Sequence, residues 1–130
     1  MKNRMYRDII ILGYAWVAFH LTSCDRQNSF VLKLTNNKTQ FWDVYDYKVG
    51  YITGSFSFDK DGKCFYYTYK NSKREKIYRD DVIYPDTWSH KGDSILIING
   101  FDRRILHFGD DTIVLLNQKT YDTTVLAKGK

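Results

Sequence analysis

The chain has 130 residues, of which 43% are hydrophobic, 17% aromatic and 27% charged, with a single glutamate, Glu75. This length accommodates one domain with a targeting segment and excludes a two-lobed enzyme, and the apolar content excludes a disordered chain. The formal net charge is +5, but residues 1–23 hold three bases and one acid, so the remainder carries only +3. This balance argues against a nucleic-acid partner.

Residues 1–23 have the pattern of a helical secretory signal peptide. Three basic side chains in the first seven residues precede an uncharged apolar run over residues 9–19. That run is shorter than the roughly 20 residues needed to span a bilayer. The small residues Thr22 and Ser23 then stand where a signal peptide is cut.

The tetrapeptide Leu21-Thr22-Ser23-Cys24 resembles the lipobox of bacterial lipoproteins. This resemblance implies that the Cys24 thiol receives a diacylglycerol group and that residues 1–23 are removed. It also implies a bacterial cell-envelope location, on the outer membrane or the periplasmic face, with the membrane as a partner through Cys24. Two or more acyl chains make such an attachment effectively permanent.

Residues 24–38 are expected to tether the lipid to a folded domain at residues 39–130. The tether is polar except at residues 30–34, where the sequence allows either a short helix or a short strand. In either form we expect Phe30, Leu32 and Leu34 to cover one end of the domain.

From residue 40 onward, turn-forming residues recur about every 8–12 residues, as is typical of all-β domains, among them Asn71-Ser72-Lys73 and Asn99-Gly100. The runs between them alternate apolar and polar residues or are rich in β-branched and aromatic residues. We predict a small antiparallel eight-stranded barrel, with a β-sandwich as the alternative. The predicted strands are 40–48, 51–58, 63–70, 76–84, 94–99, 101–108, 112–117 and 120–127.

Several of these segments resemble the short lipocalin-like lipoproteins of bacteria. The resemblance lies in Phe41-Trp42-x-Val44, in Phe56-x-Phe58 before the turn at Gly62, and in Thr87-Trp88. Further matches lie in the apolar strands at 92–97 and 110–115. The resemblance implies a lipocalin-like barrel.

Residues with catalytic or metal-binding chemistry are present but lack the required spacing. The Asp59–Gly62 segment is shorter than a calcium loop and fits a hairpin turn. His90 and His107 have no Cys or Glu at ligand spacing, and the chain contains no nucleophile elbow. We therefore expect no enzymatic activity, metal or cofactor, and we expect Cys64 to be a small buried hydrophobic residue.

Two functions remain open for the domain. In the first, the barrel binds a small hydrophobic or aromatic ligand, with Trp42, Phe56, Tyr66 and Trp88 as lining residues. In the second, the barrel is solid and its exterior binds a protein, as an assembly factor, inhibitor or immunity protein does. The basic run at 70–76 then lies either at a solvated hairpin tip or in a binding surface. In both cases we expect a monomer, and the packing of the interior discriminates between the two functions.

Overall fold

A computed structural model describes residues 29–77 and 86–130. The contacts divide the chain into two units, Met1–Phe30 and Val31–Lys130, and the following description concerns the second unit. The signal peptide and Cys24 lie outside the described residues. No helix among the described residues is long and apolar enough to cross a membrane.

The described residues form an all-β fold of nine antiparallel strands, which confirms the predicted class. The strands are β1 (Thr39–Asp46), β2 (Tyr51–Asp59), β3 (Cys64–Lys70), β4 (Lys73–Lys76), β5 (Trp88–Lys91), β6 (Ile95–Ile98), β7 (Phe101–Phe108), β8 (Thr112–Asn117) and β9 (Thr123–Lys128). The prediction of eight strands was wrong because β4 and β5 were not predicted. The predicted strand 76–84 lies almost entirely outside the described residues, since residues 78–85 are not described.

All nine strands belong to one sheet, in the order β4-β3-β2-β1-β9-β8-β7-β6-β5. The sandwich alternative, which requires two sheets, is therefore wrong for the described residues. The first and last strands pair at the centre, with Val44 opposite Leu126, and join two meanders.

The sheet curls strongly into a half-barrel rather than the closed barrel that was predicted. An isolated bridge joins Lys63 to Thr87, and Trp88 N donates to Gly62 O at 2.9 Å. The two ends of the sheet therefore approach each other at the start of β3 and of β5. No continuous ladder between β3 and β5 is formed by the described residues.

Two hairpins turn on residue pairs that adopt positive φ angles. Asn71 and Ser72 have φ angles of 50° and 62°, and Asn99 and Gly100 have 53° and 82°. Asparagine and glycine tolerate this left-handed region, which two-residue hairpin turns require to match the twist of their strands. The Asn99-Gly100 turn was predicted from the sequence, whereas the turn after β3 takes two residues and leaves Lys73 to β4.

The core lies on one side of the sheet, which we call the inner face. Strand alternation brings to this face Trp42, Phe58, Cys64 and Leu126, none of which is exposed. From the other meander, Leu96, Ile113 and Leu115 are at most 2% exposed. Each fully buried aliphatic or aromatic side chain contributes about 1.5–3 kcal/mol. Cys64 is buried in the core, as was predicted for it as a small hydrophobic residue.

A helix, α1, covers residues 29–35 of the described chain, so residues 30–34 form a helix and not a strand. Leu34 has no exposed surface, and its carbonyl oxygen accepts a 2.8 Å hydrogen bond from Trp42 Nε1. Leu32 lies half a turn away and is 54% exposed, so its predicted role in covering the domain was wrong. The helix ends where Asn36 and Asn37 adopt positive φ angles.

Candidate functional site

The four predicted ligand-lining residues fall on the inner face, and three of them are cross-strand neighbours. Trp42 pairs with Phe56, and Phe56 pairs with Tyr66, so the three side chains form a row across β1, β2 and β3. The Phe56 and Tyr66 ring centroids are 5.0 Å apart. Trp88 does not pair with this row directly. Its ring contacts Phe58, at 6.3 Å between ring centroids, and Phe58 lies 6.0 Å from Phe56.

Both tryptophans of this group are built into the core. Trp42 has no exposed surface, and Trp88 is 7% exposed. Trp42 Nε1 donates to Leu34 O, and Trp88 Nε1 donates to Asp59 O at 2.6 Å. Because each indole is packed and its N–H is satisfied, both residues act as structural supports in this conformation. Their role in binding a ligand stays a prediction.

The position of the Tyr66 ring requires a glycine in the neighbouring strand, β2. The ring lies over Gly54, where a Cβ atom would collide with the phenol and would come within 2.8 Å of Tyr67 O. Gly54 is buried in the middle of β2 and therefore leaves the space that the tyrosine ring fills.

The opposite side of β1–β3 carries a second set of aromatic residues. Alternation places them away from Trp42 and Tyr66, over the small buried residues Ser55 and Ser57 of β2. The Phe41 and Tyr67 rings meet edge to face at 5.2 Å. We call this surface the outer aromatic face; it comprises Phe41, Tyr45, Phe65, Tyr67 and Tyr69.

Two cations of β4 lie against the outer aromatic face. The Arg74 guanidinium is 4.4 Å from the Phe41 centroid and 5.7 Å from that of Tyr69. Lys76 Nζ lies 3.4 Å from the Phe65 centroid. Cation–π contacts of this kind hold the side chains in fixed positions. Residues 73–76 of the basic run thus form a strand of the β3–β4 hairpin, and Arg74 belongs to a packed surface rather than to a solvated tip.

The outer aromatic face continues into the hairpin between β1 and β2. Tyr45 meets Tyr47 edge to face at 5.0 Å. Beyond it, four large apolar or aromatic side chains stand exposed, a set that we call the β1–β2 tip: Tyr47 (69%), Val49 (49%), Tyr51 (61%) and Ile52 (43%).

A cleft of about 510 Å³ lies beside Arg74, and we call it the Arg74 cleft. Its lining includes four lysine or arginine residues and one aspartate. The lining residues are Asp43, Tyr69, Ser72, Lys73, Arg74, Lys128 and Lys130.

The Arg74 side chain is held in this cleft by contacts with Asp43 of β1 and with the main chain of Lys130. Its Nη1 donates to Lys130 O at 2.9 Å, and its Nη2 lies 3.4 Å from Asp43 Oδ1. Its Nε atom is buried and has no hydrogen-bond partner. Gly129 makes the approach possible, since a Cβ atom there would lie 2.6 Å from Arg74 Nη2.

Asp43 also accepts a hydrogen bond from the Tyr69 hydroxyl. Burial, followed by the hydrogen bond and the negative charge of Asp43, raises the pKa of Tyr69 above its usual value, and Arg74 opposes this shift. The phenol therefore remains a neutral donor well into the alkaline range.

The sequence did not reveal Arg74 as a site residue. Its partners Asp43 and Lys130 lie 31 and 56 positions away, and in the sequence it reads as one cation of a charged run. Within residues 29–77 and 86–130, no group of three or more His, Cys, Asp or Glu side chains could hold a metal ion.

Comparison with known proteins finds no matching family model, no similar curated protein and no similar solved structure.

Proposed function

We propose that this chain is a non-enzymatic protein-interaction module that binds a partner through its outer aromatic face and β1–β2 tip. The observation that carries the proposal is the continuity of these two surfaces. A row of five aromatic residues that are partly exposed leads into four exposed apolar or aromatic side chains at one hairpin.

The composition of this surface supports a protein partner. Tyrosine, phenylalanine and arginine are enriched at protein interfaces, where an aromatic ring buries a large area at a low entropic cost. A contiguous exposed apolar patch is also unusual on a monomer that has no partner. The outer aromatic face and the tip combine both properties.

Binding of a small ligand on the inner face has weaker support. Trp42 and Trp88 are packed and hydrogen-bonded to backbone carbonyls, so a ligand would have to displace core contacts to reach them. An exterior partner requires no such rearrangement.

The proposal includes lipid attachment through Cys24 in a bacterial cell envelope. It rests on the lipobox-like sequence Leu21–Cys24 and on the distance along the chain to α1. The few residues between Cys24 and the start of α1 at residue 29 would keep the domain close to the membrane while leaving the tip free to meet a neighbouring protein.

Site-specific photo-crosslinking in the host cell tests the proposal. A photoreactive amino acid replaces Tyr47 in the tip, and a matched control replaces Leu106, which is 49% exposed on β7 three strands away from β1. We expect a discrete protein adduct from position 47 and none from position 106. Equal adducts from both positions, or none from position 47, would overturn the proposal.

A further inference from the structure

We infer that the Arg74 cleft receives a protruding carboxylate, an Asp or Glu side chain of the protein partner. This inference rests on the proposed function and adds the chemistry of the partner. The cleft adjoins the outer aromatic face, since Tyr69 belongs to both, so one partner segment can fill the cleft and cover the rings.

The guanidinium of Arg74 is pre-organised for an oxyanion. Phe41 stacks against it at 4.4 Å, and Lys130 O fixes Nη1, so little side-chain freedom remains to be lost on binding. Nε is buried and is not reached from the cleft, but Nη1 and Nη2 each carry two N–H groups and each meets one acceptor, Lys130 O or Asp43 Oδ1. The Nη1–Nη2 end of the guanidinium therefore keeps N–H groups for the oxygens of a carboxylate that enters the cleft.

The charges around the cleft also favour an anion. Lys73, Lys128 and Lys130 line it together with Arg74, while its one acidic side chain, Asp43, already accepts a hydrogen bond from Tyr69. A carboxylate entering the cleft therefore meets an excess of positive charge, which also speeds the encounter with an acidic partner.

Because Arg74 is recessed, a ligand group reaches it only if that group protrudes from its own surface, as an Asp or Glu side chain does. The Arg74 side chain is only 23% exposed and that of Asp43 only 15%, whereas Lys70 on the same hairpin is 73% exposed. A flat layer of lipid headgroups would contact protruding lysines such as Lys70 before it reached Arg74. The apolar rings beside the cleft offer nothing to a free inorganic anion but can cover the side chains that flank a carboxylate in a peptide.

Fluorescence anisotropy of labelled peptides with the full-length chain in non-ionic detergent tests the inference. The probe is a short peptide with glutamates on either side of a tyrosine, and its matched control has glutamine in place of glutamate. We expect the glutamate peptide to bind at least about tenfold more tightly than the glutamine peptide, with an affinity that falls as salt is added.

Three variants locate the binding. Arg74→Gln should weaken binding of the glutamate peptide by about tenfold or more. Gly129→Ala should do the same without changing the charge, because its methyl group occupies the place of Arg74 Nη2. The control Lys119→Gln lies in the turn at the opposite end of β9 and should bind as the wild type does.

Several outcomes would overturn the inference. They are equal binding of the two peptides, equal affinities of Arg74→Gln and Lys119→Gln, full competition by inorganic phosphate at the peptide concentration, or Arg74-dependent binding to phosphatidylglycerol vesicles without peptide binding. A crosslink from position 47 together with equal binding of the two peptides would leave the proposed function standing while this inference failed. If no crosslink forms from position 47 in the protein that keeps Arg74, the proposed function itself fails.

Discussion

Two leucines of the same helix give a sharp test of how the N-terminal part of the domain is held. Leu34 has no exposed surface, whereas Leu32, two positions earlier, is 54% exposed. Leu34→Ala removes buried methyl groups next to the carbonyl that accepts the Trp42 indole hydrogen bond. Leu32→Ala makes the same chemical change at the surface of α1.

The burial of the two side chains sets the expected magnitudes. A fully buried Leu→Ala change costs about 2–5 kcal/mol, because the transfer free energy is lost and a cavity remains. An exposed change away from such features stays within about 0.5 kcal/mol. For a domain of about 100 residues, each kcal/mol shifts Tm by about 4–8 °C, so Leu34→Ala should lower Tm by about 10 °C or more.

Urea and thermal unfolding, followed by tryptophan fluorescence, measure both variants. We expect a large loss of unfolding free energy for Leu34→Ala and almost none for Leu32→Ala. Equal stabilities of the two variants would refute the reasoning, since they would show that α1 is not docked through Leu34.

Three further changes test other parts of the structure. Gly54→Ala should lower the free energy of unfolding by about 1–3 kcal/mol, because its Cβ collides with the Tyr66 ring; an unchanged denaturation midpoint would show that the ring does not need this space. Cys24→Ala should move the protein from the membrane fraction to the soluble fraction and abolish labelling by radioactive palmitate, and labelling equal to wild type would exclude lipidation at this residue. Asp43→Asn should lower the pKa of Tyr69, measured by NMR titration of the tyrosine ring carbons, because it removes the negative charge that helps to raise it. In the wild type, the stability that Tyr69 contributes is fully present below pH about 10 and is lost as the pH rises through its folded-state pKa. Identical Tyr69 titrations in the wild type and in Asp43→Asn would contradict the role of Asp43 in raising this pKa.

Local sequence patterns were sufficient where a strand is defined by its own residues. β8 was predicted with its observed bounds because the apolar run at residues 113–116, with Thr112 and Asn117 on either side, lies between two turns. The Asn99-Gly100 turn was equally plain, since both residues favour positive φ angles.

β4 was not predicted because it is stabilised by contacts with neighbouring strands and not by a pattern in its own sequence. The segment Lys73–Lys76 has no apolar residue, so alternation cannot be read from its sequence. Its partners are the aromatic rings of neighbouring strands: Arg74 lies opposite Tyr69, and Lys76 lies opposite Tyr67. Such cross-strand cation–π contacts become visible only once the register is known.

The candidate site eluded sequence reasoning for the same physical reason. The run of tyrosines indicated aromatic residues on both faces of β3, but not which face is accessible. The Arg74 cleft combines residues from β1, β4 and the end of the chain, which only the pairing of β1 with β9 brings together. The curl of the sheet into a half-barrel likewise depends on how its distant edges meet.

Native mass spectrometry of the protein purified from its own host tests the central claim most directly, with a Tyr47→Ser/Tyr67→Ser double variant as the comparison. The account predicts that the wild type carries the added mass of a protein and that the double variant loses it while remaining folded. An added mass the size of a small molecule, retained in the double variant, would contradict the account and favour a ligand on the inner face. The bare chain in every preparation would contradict it as well.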